Sequence, residues 1–211
     1  MRDFWRRRLL QLWEHRSVLW LRGVRRTGKT WLSQSIEGVE YFDCELPRVR
    51  RAMDDPEAFL KGLRGKRIVL DEIHRLPQPS ELLKIAADHF PDVRVLATGS
   101  STLGASHRFR DTLAGRKAEL WLTPMVEADL VDFGRADLSH RLLHGGLPPF
   151  FLSPELPERD FQEWMEAKAR GPECRISPPS RVKETAYPPL PAENAERIAR
   201  TVQATASPMS A

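Results

Sequence analysis

The sequence predicts an α/β fold, a parallel β-sheet flanked by helices, from three observations. Short apolar runs alternate with helix-forming segments through the first 125 residues, a pattern typical of parallel sheets with helices on both faces. Apolar residues make up 41% of the 211-residue chain and charged residues 29%, which is ordinary for a globular domain. No apolar run approaches the roughly 18 residues of a membrane-spanning helix, so no membrane association is expected.

Five short apolar runs predict the strands. They are SVLWLR at 17–22, VEYFDC at 39–44, KRIVLDEI at 66–73, VRVLATG at 93–99 and AELWLT at 118–123. The first run stops at Gly23 and the third runs into two acids. Continuous apolar runs of this length, bounded by glycine or polar residues, are typical of strands buried in a sheet.

The predicted helices follow from apolar spacing and from residues that start or stop helices. Apolar residues at 4, 5, 9, 12 and 13 share one face of a helix over 3–15. Gly38 stops a helix over 28–37, Asp55-Pro56 starts one that Gly65 ends, and Ser80 caps one over 81–90. Further helices are predicted at 125–133, 136–144 and 158–169.

The charge of the chain is concentrated at its front. The formal net charge is +4, but residues 1–30 hold nine basic residues and two acids, and the remainder is slightly acidic. This excludes a uniformly basic protein that coats nucleic acid. The Arg6–Arg8 cluster has two interpretations, a contact with nucleic acid or a solvated helix face, and the solvated face is favoured. Two cysteines and the lack of a signal-peptide pattern predict a cytoplasmic protein.

The composition changes near the end of the chain. Residues 171–211 contain seven of the 17 prolines and only one aromatic residue, Tyr187. We therefore expect three regions: a core over 1–124, a short helical partial lid over 125–169 and a largely disordered tail over 170–211.

One motif carries a definite chemistry. The residues Gly23, Val24, Arg25, Arg26, Thr27, Gly28, Lys29 and Thr30 match G-x-x-x-x-G-K-[ST], between a predicted strand and a predicted helix. The glycines let backbone N–H groups surround a phosphate. Lys29 supplies positive charge to the β- and γ-phosphates, and the Thr30 hydroxyl binds the Mg²⁺ that bridges them. The motif therefore predicts a nucleotide-phosphate site with Lys29 in a catalytic role.

Two acids at the end of the third strand extend this prediction. Asp71 is expected to help hold Mg²⁺, and Glu72 to orient and deprotonate an attacking water molecule. Taken alone, the pair is better explained as solvated acids at a strand end, and only the phosphate-loop motif beside it favours the functional interpretation. The only asparagine, Asn194, lies in the tail, so a guanine-reading Asn-Lys-x-Asp motif is absent and ATP is favoured over GTP.

Two further polar residues are candidates for the same site. A hydroxyl after the fourth strand, Thr98 first and Ser100 second, can contact the γ-phosphate, although a hydroxyl-rich turn is an equal alternative. Arg116 can act as an arginine finger in its own chain or in a neighbouring one, and a surface arginine is the alternative.

Five blocks in this order resemble a prokaryotic family of AAA-type P-loop ATPases: GVRRTGKT, IVLDEIHRLP, VLATGSSTL, LAGRKAELWLTPM and GGLPPFFL. The resemblance covers about residues 1–169. It implies an AAA+-like P-loop NTPase fold that binds ATP and Mg²⁺, with Asp71 and Glu72 as the Walker B pair, Thr98 as a sensor-type residue and Arg116 as an arginine finger. Members of the family usually carry a second C-terminal domain, so the chain is expected to be a truncated member.

Three functions remain open from the sequence. The first is an ATPase that couples ATP hydrolysis to conformational change, for which a homo-oligomer is one possible state. The second is a nucleotide-dependent binding module with little turnover. The third is a nucleic-acid-binding protein that uses the basic front of the chain, and the identity of any protein or nucleic-acid partner is unknown.

Overall fold

The predicted parallel sheet is confirmed among the residues that the structure describes. In this computed structural model those residues are 2–99, 113–134, 138–155 and 158–169, all within one compact unit, 1–173. The strands are β1 (Val18–Arg22), β2 (Val39–Asp43), β3 (Arg67–Asp71), β4 (Arg94–Thr98) and β5 (Lys117–Trp121). They pair in the order β2-β3-β4-β1-β5, and every pair is parallel. The predicted disorder of the tail, 170–211, and the candidate Ser100 lie outside the described residues.

The described helices agree with most of the sequence prediction. They are α1 (Asp3–His15), α2 (Lys29–Gln34), α3 (Pro47–Ala52), α4 (Pro56–Lys61), α5 (Pro79–His89), α6 (Glu127–Phe133), α7 (Leu138–His144), α8 (Pro148–Phe151) and α9 (Glu158–Ala169). None of these helices is long and apolar enough to cross a membrane, within the part of the chain that the structure describes.

Several differences between prediction and structure lie at prolines. The sequence prediction missed α3 and α8, which both begin at a proline, a residue suited to the first helical position. Ser80 does not cap α5, since that helix begins at Pro79 and Gln78 occupies the N-cap position. At the start of α4 the prediction is confirmed, because the Asp55 side chain accepts a hydrogen bond from the Ala58 N–H at 3.0 Å. The predicted end at Gly65 is wrong, since α4 ends at Lys61 and Gly62 is its C-cap.

The core consists of two apolar layers, one on each face of the sheet. In β1, Val18 and Trp20 belong to one layer, and Leu19 and Leu21 to the other, because successive strand side chains point to opposite faces. Residues from α4 and α5 cover the first layer, and residues from α1 and α2 cover the second. Burial on both faces explains why these strands have continuous apolar runs.

The register of the strands brings their carboxyl ends to one edge of the sheet. Leu21 pairs with Thr98, and Leu70 pairs with Ala97. The loop after β1 and the acids at the end of β3 therefore meet at the edge where ligands bind in open α/β sheets.

Candidate nucleotide-binding site

The segment between β1 and α2 forms a tight loop that requires its glycines. Gly28 has φ of +87° and precedes the first residue of α2, so the chain turns there in the left-handed region that glycine tolerates best. At Gly23 a Cβ atom would lie 2.4 Å from the backbone oxygen of Leu122. The first glycine of the motif is therefore required by the close approach of another loop.

Lys29 lies within this loop rather than in solvent. Its side chain is buried, and its Nζ donates hydrogen bonds to the backbone oxygens of Gly23 at 3.1 Å and Val24 at 3.0 Å. The Thr27 hydroxyl donates to the same Val24 oxygen at 2.9 Å. The loop thus holds a positive charge beside its own backbone, at the start of a helix.

Three hydroxyl groups surround the carboxylate of Asp71. Thr30 and Tyr41 donate to Oδ2 at 2.8 and 2.5 Å, and Thr98 donates to Oδ1. Asp71 is only 3% exposed. Burial and the Asp71 carboxylate raise the pKa of the Tyr41 phenol, so the phenol remains a donor. The structure therefore brings together three predicted residues, Thr30, Asp71 and Thr98.

The Thr30 and Asp71 oxygens fit a magnesium ion by their chemistry. Hydroxyl and carboxylate oxygens are hard ligands, and Mg²⁺ beside a nucleotide is held by one or two protein oxygens together with phosphates. Among the described residues, no cluster of three or more His, Cys, Asp or Glu side chains forms a self-contained metal cage.

Glu72 lies directly beside this cluster in an unusual backbone conformation. Its φ of +51° and ψ of +44° place it in the left-handed region, and its N–H donates to Thr98 Oγ1 at 3.1 Å. Its Oε2 lies 3.0 Å from His74 Nδ1. Thr98 therefore links both acids of the predicted Walker B pair.

A cavity of about 780 Å³ lies over these groups. Residues of the loop between β1 and α2, and of α2 itself, form one wall of the cavity, and Glu72 also lines the cavity. Phe133, Pro148, Pro149 and Leu152 form an apolar wall. The size of the cavity and its combination of polar and apolar lining residues are typical of a small-molecule site.

Arg116 is not brought to this cavity within one chain. It precedes β5, whose first residue, Lys117, pairs with Val18 at the start of β1, so it lies at the opposite edge of the sheet from the loop. There it forms an ion pair with Asp88 at 2.6 Å. The Arg116 guanidinium lowers the pKa of the Asp88 carboxyl, mainly through this hydrogen bond. An arginine finger stays a prediction, and it concerns a neighbouring chain only.

Sequence reasoning missed two residues at the site, Tyr41 and Arg2. Arg2 was counted only as part of the basic front of the chain, yet it is 1% exposed and lines the cavity. It donates to the backbone oxygen of Thr27 at 2.8 Å and forms an ion pair with buried Asp129 at 2.7 Å. No local pattern marks either residue, because both act through contacts with distant parts of the chain.

The remaining basic residues of the front are placed differently. Arg7 and Arg8 are exposed on α1, and Arg6 forms a partly exposed ion pair with Asp3 at 3.4 Å. This arrangement agrees with a solvated helix face.

The chain is similar to a known domain family and to solved structures. The model of the AAA domain family matches residues 15–130. The solved structure of the Walker-type ATPase of Pyrococcus abyssi is similar, with a TM-score of 0.53 and 15% identity over 80% of this chain and 72% of that chain. The structure of the Orc1 protein of Aeropyrum pernix in complex with DNA matches with a TM-score of 0.46 and 22% identity, over 62% of this chain and 47% of that chain. No curated protein matches the chain.

Proposed function

Because the chain belongs to the AAA domain family, which the match over residues 15–130 shows, we propose that it binds ATP with Mg²⁺ and hydrolyses it to ADP and phosphate. One observation carries the proposal. Lys29, Thr30 and Glu72 line one cavity and Asp71 is hydrogen-bonded to Thr30, although these residues come from two separate segments of the chain. Phosphate binding alone does not need an acid in the position of Glu72, whereas activation of water does.

The loop and α2 supply the phosphate site. Backbone N–H groups of residues 23–30 and the dipole of α2 attract the triphosphate. Lys29 exchanges contacts with backbone oxygens for contacts with the β- and γ-phosphates, which are stronger because both partners are charged. Arg25 and Arg26 line the same cavity and add positive charge.

The apolar wall supplies the site for the base. Phe133, Pro148, Pro149 and Leu152 line the same cavity as the phosphate loop. An added Cβ at Gly28 would lie 4.0 Å from Pro148 Cγ, so this wall is in contact range of the loop. A purine is flat and largely apolar, so it packs against such a wall while its phosphates reach Lys29.

Thr30 and Asp71 would hold Mg²⁺, which neutralises developing negative charge on the phosphates. The Tyr41 and Thr98 hydroxyls fix the orientation of the Asp71 carboxylate. Glu72 accepts the proton of the attacking water. Arg116 contributes only if a second copy of the chain brings it to this cavity, so full turnover is expected to require a homo-oligomer.

Phosphate release and nucleotide binding, measured together, test the proposal. Lys29→Ala should abolish both, whereas Glu72→Gln should bind ATP and lose about 10²–10⁴-fold in turnover. The exposed residues Lys61 and Glu37 offer matched controls, Lys61→Ala and Glu37→Gln, which should behave as wild type.

The outcomes separate the functions. Equal phosphate release from wild type, Lys29→Ala and Glu72→Gln would refute the site. Binding to wild type without any turnover would instead favour a nucleotide-dependent binding module.

A further inference from the structure

His74 lies against the proposed general base. It belongs to a short 3₁₀ turn, Ile73–Arg75, that begins directly after Glu72. Its Nδ1 lies 3.0 Å from Glu72 Oε2, and each of these side chains is 28% exposed. The two facing atoms are themselves shielded from solvent, and neither makes a hydrogen bond to any described residue, so their 3.0 Å contact is at ion-pair distance without a formed hydrogen bond.

The backbone explains why the two side chains meet. The left-handed conformation of Glu72 reverses the chain after β3, and the hydrogen bond from its N–H to Thr98 holds that reversal. The turn returns residue 74 beside residue 72. An added Cβ at Gly99 would lie 3.7 Å from His74 Nδ1, so the ring also sits against the end of β4. A left-handed glutamate is a strained conformation, and such strain clusters at functional sites.

The chemistry of the contact fixes its polarity. A carboxylate oxygen only accepts hydrogen bonds, so the contact is favourable only if Nδ1 carries the proton. The neutral Nδ1–H form of the imidazole suffices. Because both atoms are shielded from water, an acceptor facing an acceptor at this distance would be costly.

We propose that His74 is a positioning residue that holds Oε2 of Glu72 and leaves Oε1 to accept the proton of the attacking water. Glu72 lines the cavity, and its Oε2 is buried against His74. The inference rests on the proposed ATPase function. Without His74 the carboxylate rotates freely, so proton transfer slows while ATP binding, which depends on Lys29 and the loop, does not change.

Kinetics of three variants test this role. His74→Ala should lower kcat about 10–100-fold with KM for ATP within about twofold. His74→Asn places an amide donor near the former Nδ1 and should recover most of kcat. His74→Ala should have no further effect in a Glu72→Gln background, because the two residues act as one unit. His89→Ala, at an exposed histidine, is the control.

Two results would overturn the proposal: kcat unchanged in His74→Ala, or His74→Asn as impaired as His74→Ala. A change in KM alone would also overturn it, because it would place His74 in nucleotide binding.

A second readout does not depend on turnover. In ¹⁵N NMR spectra of the full chain, the His74 ring signals, assigned by their loss in His74→Asn, should show a protonated Nδ1 that changes in Glu72→Gln. Ring signals that are the same in wild type and Glu72→Gln would refute the pairing. A wild type that shows the pairing but hydrolyses no ATP would refute the ATPase proposal instead, with the contact intact.

Discussion

Asp129→Ala tests whether the buried ion pair with Arg2 fastens the front of the chain to the phosphate loop. Asp129 is fully buried and accepts hydrogen bonds from Arg2 Nε at 3.1 Å, Arg2 Nη2 at 2.7 Å, Trp5 Nε1 at 3.2 Å and the Val126 N–H at 2.8 Å. Removing the carboxylate leaves a guanidinium that is 1% exposed without its counter-charge.

The expected loss of stability is large. Breaking one partner of a buried ion pair costs about 3–5 kcal/mol. For a chain of this size, that corresponds to a decrease in melting temperature of roughly 6–20 °C. Circular dichroism during heating and urea unfolding both measure it, and the urea slope shows whether the unfolded state changed as well.

Two further variants make the test specific. Glu163→Ala breaks the surface ion pair in which the side chains of Glu163 and Arg159 are 64% and 91% exposed. This change should lower the free energy of unfolding by less than about 0.5 kcal/mol. The double variant Arg2→Met, Asp129→Leu removes both charges and should be more stable than Asp129→Ala. If Asp129→Ala melts within about 2 °C of the wild type, the pair does not stabilise the fold and the reasoning fails.

Three more predictions follow from single contacts. Gly23→Ala forces the loop away from the neighbouring backbone oxygen and should weaken ATP binding about tenfold or more, measured with a fluorescent nucleotide. Tyr41→Phe removes one hydroxyl from the Asp71 carboxylate and should lower the free energy of unfolding by about 1.5 kcal/mol in urea. Burial raises the pKa of the Cys44 thiol to about 12, so folded Cys174→Ser protein should not react with a thiol reagent at pH 8.

Each of these predictions has a control and a contradicting result. Gly62→Ala places a Cβ at ordinary contact distances of 3.6 and 3.9 Å, so ATP binding should not change, and equal affinity in both glycine variants would contradict the first. Unchanged urea unfolding of Tyr41→Phe would contradict the second. For the third, the thiolate fraction at pH 8 is on the order of 10⁻⁴ when folded, and it increases on unfolding in denaturant. Rapid reaction of the folded protein would show that Cys44 is accessible.

Much of the fold could be predicted from the sequence because its signals are local. The strands lie at five apolar runs whose continuity follows from burial on both faces, as in β1, with Val18 and Trp20 in one layer and Leu19 and Leu21 in the other. Helix ends were less predictable. At Pro47 and Pro148 a proline is the first helical residue, and proline can either begin a helix or break one.

The candidate site divides in the same way. The phosphate loop depends on the spacing of adjacent residues, so eight consecutive letters identify it. The contact of Tyr41 with Asp71 depends on the pairing of β2 with β3, which no local pattern reveals. For Arg116, the sequence alone shows that it directly precedes β5. Its distance from the cavity depends on the register of β5 with β1, which the sequence does not reveal.

The sequence by itself determined the family and the alternation of strands and helices, and it predicted the phosphate loop, since each depends on residues close together along the chain. Only the tertiary structure decided that Arg2 is buried and contacts both Asp129 and the loop, rather than lying on the surface. It also decided that the His74 side chain lies against Glu72. Both depend on where the backbone brings atoms from different elements, and the cost of leaving buried polar groups unpaired then selects their partners.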